Sequence, residues 1–312
     1  MRKIDVSSRI FPQTYWSRLQ TRAGRNIDIG QHVRSHPVLT DLDERFRIMD
    51  RFGDYEQILS LASPPLEAIY SADTAPEMAR IANDGLAELV SAHPDRFPGF
   101  IAALPMARPD AAIAETFRAV KELGALGVQI FTDVGGRPLD HEDYVPIFRA
   151  AYQLDIAMIL QPASEAKHEL SAAQGRLVFS GLMDMLPGIK IVTHHMGGMV
   201  PIARSIVGPS ALKRLKKPHA EYFKDFYADT AACLSSEAVR DGMAYHPRDR
   251  VLFASDAPFD PDRSVRRIGE VIHLVEDSDI DADWKQDIFW RNAAKIMAFD
   301  RREDETILRR YA

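Results

Sequence analysis

Residues 189–195 read IKIVTHH. An apolar, largely β-branched run of strand character gives way without a break to two histidines. Seven more runs of the same kind follow one another along the chain: KIDV from Lys3, YEQILSLA from Tyr55, FPGFIAALP from Phe97, GVQIFT from Gly127, IAMILQP from Ile156, FYADTA from Phe226 and VLFASDAP from Val251. Longer segments with helical spacing lie between them. In residues 41–53, DLDERFRIMDRFG, the apolar Leu42, Phe46, Met49 and Phe52 recur every three or four residues, and Gly53 stands where the helix should stop. Thr74 and Glu77 have the spacing of a capping box ahead of MARIANDGLAELVSA. Asp140 is placed to cap HEDYVPIFRAAYQ, and Gly124 to end DAAIAETFRAVKELG. Eight strands, each followed by a helix, over about 250 residues predict the α/β class and a (β/α)8 TIM-type barrel. Periodicity alone leaves an open doubly wound sheet as the alternative; the strand ends favour the barrel. No linker, low-complexity tract or repeat divides residues 1–312, so one barrel domain is expected.

Composition narrows the partners. The 39 basic and 45 acidic residues give a formal charge of −6, mixed along the chain, so there is no basic field for nucleic acid or anionic lipid. An anionic ligand must be captured by individual arginines. Cys233 is the one cysteine, among small uncharged neighbours; it reads as packing and suits a reducing cytoplasm. No apolar run is long enough for a signal peptide or a membrane span.

In a barrel the C-terminal strand ends share one mouth. Here they carry Ser7 and Arg9, Thr132 and Asp133, Gln161, His194 and His195, Asp229 and Thr230, and Asp256. Polar groups gathered after apolar strands predict a wet, shaped site, because burying them unpaired is costly.

The stretches IDVSSRIFP, GVQIFTDVGGRPLD, RLVFSGLMDMLPGIKIVTHHMGGMVP, FYADTA and DRVLFASDAPFD resemble the amidohydrolase-related family, the group that includes 2-amino-3-carboxymuconate-6-semialdehyde decarboxylase and resorcylate-type decarboxylases. The resemblance implies a barrel with a mononuclear metal, usually zinc, held by an HxH pair, a His after strand five and an Asp after strand eight, with a His after strand six moving protons. It also implies a homodimer, for which the apolar IFPQTYW segment from Ile10 offers a candidate exposed patch.

Placed on those positions, Ser7 and Arg9 stand for the HxH pair and Gln161 for the third His, whereas Asp256 and His195 match the family's Asp and catalytic His. A serine hydroxyl and a glutamine amide are poor zinc ligands, and a guanidinium repels a cation, so the expectation is a site working without a cofactor, with zinc as the minor alternative. Asp256 and His195 are the expected catalytic pair. Arg9, Ser7, Gln161 and His194 are expected to line the substrate, a small carboxylated ring or ring-cleavage product. Arg9 and Asp256 are expected to pair, and Asp229 to orient its neighbours. An Arg-polarised carbonyl, an Asp-activated water and a His proton shuttle suffice for hydrolysis of an ester, lactone or amide, which is the leading expectation. Non-oxidative decarboxylation or hydration is the second reading and a catalytically silent binding barrel the third.

Overall fold

The computed structural model describes residues 1–23, 33, 35–163, 168–197, 215–231, 235–258 and 265–298. Cys233 and Gly198 lie outside them. Eight parallel strands run in chain order around one sheet: β1 (Lys3–Ile10), β2 (Tyr55–Leu61), β3 (Gly99–Ala103), β4 (Gly127–Phe131), β5 (Ala157–Gln161), β6 (Lys190–Thr193), β7 (Tyr227–Asp229) and β8 (Val251–Leu252). Sequential parallel neighbours joined by helices are the barrel topology, and the expected doubly wound alternative, which reverses strand order, is absent from this sheet.

No ladder pairs β1 with β8 among the described residues; the sheet closes through a few single bonds. The Val6 N–H donates to the Phe253 carbonyl at 3.0 Å and the Arg9 N–H to the Ala257 carbonyl at 3.3 Å. Asp5, fully buried, completes the seam. Its carboxylate accepts from the Tyr55 hydroxyl at 2.6 Å, the Ser7 N–H at 3.0 Å, the Ser255 N–H at 3.2 Å and, by a short bond, the Ser255 hydroxyl. Burial pushes this carboxyl above the usual range and the four donors oppose the shift.

Alternation along each strand separates an inner from an outer core. Ile4, Val6, Ile58, Ile101, Ala157, Ile159, Val192 and Leu252 pack together in the barrel interior. Leu59, Val128, Ile130, Met158, Leu160 and Ile191 face the helices. Complete burial of an aliphatic or aromatic side chain contributes about 1.5–3 kcal/mol, so the strand register is strongly specified on both faces.

Three local expectations are corrected. Thr74 precedes the helix Ala75–Ala92 but makes no cap bond; its hydroxyl meets that of Ser71 at 2.6 Å. Asp140 does not cap the following segment, because its carboxylate accepts from Arg176 at 2.7 Å, and the His141 ring takes the capping bond from the Asp143 N–H. The IFPQTYW segment is not an exposed patch: Phe11, Tyr15 and Trp16 are buried, with Phe11 stacked on both rings, because the helix Gln13–Ala23 folds onto Ala75–Ala92. By contrast, the helix Leu42–Met49 stops as read, with Gly53 at φ 70°.

Candidate active site

The mouth begins with an irregularity in β1. Asp5 pairs with Gln57 and Ser8 with Leu59, so β1 spends three steps where β2 spends two. One extra residue reverses the in–out alternation. Ile4 and Val6 accordingly belong to the inner core, whereas Ile10 packs with the outer one. Arg9, opposite Ser60, is thereby turned inward. Its carbonyl is held from outside by Arg45, a fully buried cation that also binds the Val38 carbonyl and the Gln57 side chain, and whose burial brings its pKa down to about 10.

Arg9 is 4% exposed. Its Nη2 donates to His194 Nε2 at 3.1 Å, and the same atom stands 3.9 Å from Asp256 Oδ1. Because a guanidinium can only donate, His194 Nε2 must present its lone pair and the ring proton must sit on Nδ1. That proton is donated to Asp229 Oδ2 in a short bond. Asp229 is further held by the N–H groups of His195 at 3.0 Å and Ala231 at 3.1 Å. Burial alone would raise the Asp229 carboxyl; its interactions with the His194 ring and then with His195 outweigh it and hold it below the usual range. Burial pulls the Arg9 guanidinium down while Asp256, Asp229 and Asp5 push back, and it remains a cation.

His195 is part-buried. Burial, then the neighbouring His194, lowers its pKa against the pull of Asp229 and Asp256. Three of the five described non-glycine residues with positive φ cluster here: His195 at 60°, Met196 at 51° and Asp256 at 61°. Such backbone costs about 1–3 kcal/mol per residue and is characteristic of sites where side-chain direction matters.

The expected residues are thus partly brought together. Arg9, His194 and Asp256 form one contact set, with His195 following directly in the chain. His194 is hydrogen-bonded to Arg9 and Asp229. Ser7 is buried at the bulge, its N–H on Asp5 and its hydroxyl without a protein partner. Gln161 faces inward at the end of β5 and accepts from Gln129 Nε2 at 2.8 Å. The reading missed Gln129, Ser60 and Asp5. A glutamine or aspartate inside GVQIF or KIDV was the available signal, since an apolar strand does not bury a polar side chain idly.

Residues 27–299 match the family described as Amidohydrolase, and the chain belongs to that family. It is 30% identical to the gamma-resorcylate decarboxylase of Rhodococcus jostii, covering 96% of this chain and 95% of that protein. The crystal structure of 5-carboxyvanillate decarboxylase from Sphingomonas paucimobilis superposes with a TM-score of 0.82 at 25% identity, over 95% of this chain and 99% of that one. A dihydroxybenzoic acid decarboxylase from Polaromonas, solved with bound manganese and the inhibitor 2-nitroresorcinol, superposes with a TM-score of 0.79 at 28% identity, over 96% and 97%.

These relatives correct two expectations. They are decarboxylases, so the hydrolase reading is overturned. Its physical weakness is that a cation, a carboxylate and an imidazole can serve the loss of CO2 as well as the attack of water. The expectation of no cofactor is overturned as well, since relatives carry manganese.

The side chains described here do not reproduce a metal-ligand set. Among the described residues no group of three or more His, Cys, Asp or Glu could hold an ion. At the barrel mouth Arg9 Nε and Nη1 are buried N–H groups without a protein partner. Those are donors of the polarity that an anion requires.

Proposed function

We propose that this protein is a non-oxidative decarboxylase of a small carboxylated aromatic compound. The observation that carries the reading is Arg9: a buried cation at a strand end, with two unpartnered N–H groups beside Asp256 and the paired His194 and Asp229. Such a group suits a carboxylate, by charge-assisted hydrogen bonds about twice as strong as neutral ones. The named activities of the relatives support the reaction class.

In the reaction the bond between the ring carbon and the carboxylate breaks, CO2 leaves, and a proton takes its place on the ring. Arg9 holds the carboxylate. His195 supplies the proton from its imidazolium form, which its lowered pKa makes the stronger acid. Asp256 orients the reacting groups beside Arg9. Ser7 and Gln161 line the ring. His194 and Asp229 keep Arg9 in place.

Incubation with a panel of hydroxybenzoates and related aryl carboxylates in D2O tests this. CO2 release with one deuterium at the vacated ring carbon is the expected result. Absence of CO2 from the whole panel overturns it. A cytoplasmic homodimer is proposed on the family resemblance and the single cysteine, and light scattering at micromolar protein reads its mass. Among the described residues no helix is long and apolar enough to cross a membrane.

A further inference from the structure

Arg9 makes the weaker of two available bonds. A charge-assisted guanidinium–carboxylate bond closes to about 2.7–2.9 Å and exceeds a bond to a neutral acceptor. Asp256 Oδ1 nevertheless stands at 3.9 Å, and Nη2 is spent instead on His194 Nε2 at 3.1 Å. The acceptor is itself immobilised. His194 is 1% exposed and Asp229 fully buried, and Asp229 is anchored by two backbone N–H groups as well as by the His194 ring. Other charges that act on Arg9 are Asp5 and His195. Asp5 is already occupied by Tyr55 and Ser255, and His195 adds no acceptor toward Arg9.

We propose that His194 is a positioning residue for a carboxylate-binding Arg9: tied to Asp229 through Nδ1, it holds the guanidinium off Asp256 through Nε2 and so keeps Nε and Nη1 free for the ligand. Without it, the guanidinium closes onto Asp256 as a direct ion pair, and the positive charge is neutralised within the protein. The inference rests on the carboxylate reading of the site, though not on turnover.

The test is calorimetric titration with benzoate of the wild type, His194→Leu, His194→Gln, Asp256→Asn and the double change His194→Leu with Asp256→Asn. His194→Leu is expected to weaken benzoate by about tenfold or more, equivalent to about 1.4 kcal/mol. His194→Gln, which keeps an acceptor near the Nε2 position, stays within about threefold of wild type, because hydrogen-bond acceptance and not ring volume is required. The double change recovers most of the affinity, since Asp256 no longer competes. A merely structural role for His194 predicts that Asp256→Asn changes benzoate affinity by the same factor with and without His194, whereas the positioning role predicts a larger gain in the His194→Leu background.

Nitrogen-15 spectra of the wild type give a second readout, independent of variant folding: the His194 ring should carry its proton on Nδ1 and none on Nε2. A protonated Nε2, equal benzoate affinity in His194→Leu, or a double variant as weak as the single one overturns the proposal. CO2 release with unchanged affinity in His194→Leu removes this inference alone. Intact benzoate discrimination without CO2 release from any substrate removes the decarboxylase reading alone. No benzoate binding by the wild type at millimolar ligand overturns both.

Discussion

Asp5 and Ser255, separated by 250 positions, meet side chain to side chain where the first and last strands of the barrel come together. With Tyr55 they form a polar rivet in a seam that otherwise has few backbone bonds. Asp5→Ala would remove the acceptor for the Tyr55 and Ser255 hydroxyl protons and for the N–H groups of Ser7 and Ser255. It is expected to cost about 3–5 kcal/mol in urea unfolding, the range for breaking a buried charged network. Asp5→Asn, which keeps acceptor capacity, should cost less than half of that. Equal, small losses for both would mean that the seam does not depend on this group.

His195→Ala and Asp256→Asn should each lower turnover by about 100- to 10,000-fold, the usual consequence of losing a proton-transfer or orienting group, with far-ultraviolet circular dichroism unchanged. The wild-type rate on the acid form of His195 should decline as pH rises above its lowered pKa. Turnover near wild type in either variant, measured with a substrate found in the panel, would place the chemistry elsewhere.

Burial lowers the pKa of both His195 and His246. Below the ordinary histidine value of about 6.5 the unfolded chain therefore binds protons that the folded one resists. The stability contributed by these two neutral rings is present above that value and is lost as pH falls toward and through their folded values. The midpoint of thermal unfolding should rise between about pH 5 and about pH 7 and then level off. His246→Gln should flatten the rise, and a profile that the substitution leaves unaltered would assign it to other groups.

The combined change Ser7→His, Arg9→His and Gln161→His should create a transition-metal site beside Asp256, since three imidazoles and one carboxylate satisfy a divalent ion. Calorimetry with manganese or zinc is expected to show one strong site in the triple variant that no single change produces. Failure to gain that site would mean that the inward positions at the ends of β1 and β5 do not converge on one point.

The strands of this barrel were legible because each is an apolar run with polar residues at its end, and Arg9, His194, His195 and Asp256 were legible because they stand at those ends. What escaped was whatever depends on pairing across the sheet. The extra residue in β1 cannot be read from KIDVSSRI, since it exists only relative to YEQILSL. The anchoring of His194 depends on Asp229, 35 residues away, and although Asp229 was read as an orienting group, its partner was not. The aromatic segment after β1 was misread because apolar residues near a terminus suit an exposed patch and a satellite core equally well, and only the helix above them decides. The reaction was misassigned because side-chain inventory constrains charge and proton affinity, not which bond of a bound molecule breaks.

The extra residue in β1 has a further consequence for how such a site changes over generations. It fixes in the backbone where the side chain at position 9 is delivered, so exchanging that side chain alters what occupies the mouth without moving the strand. A lineage can then trade an imidazole for a guanidinium by point substitution, while a one-residue deletion between Asp5 and Ser8 would restore regular pairing, leave position 9 facing inward and take away one of the two residues, Val6 and Ser7, that share a single step of the sheet. Substitutions at positions 7 and 9 should therefore be common among descendants of this barrel, and length changes between them rare.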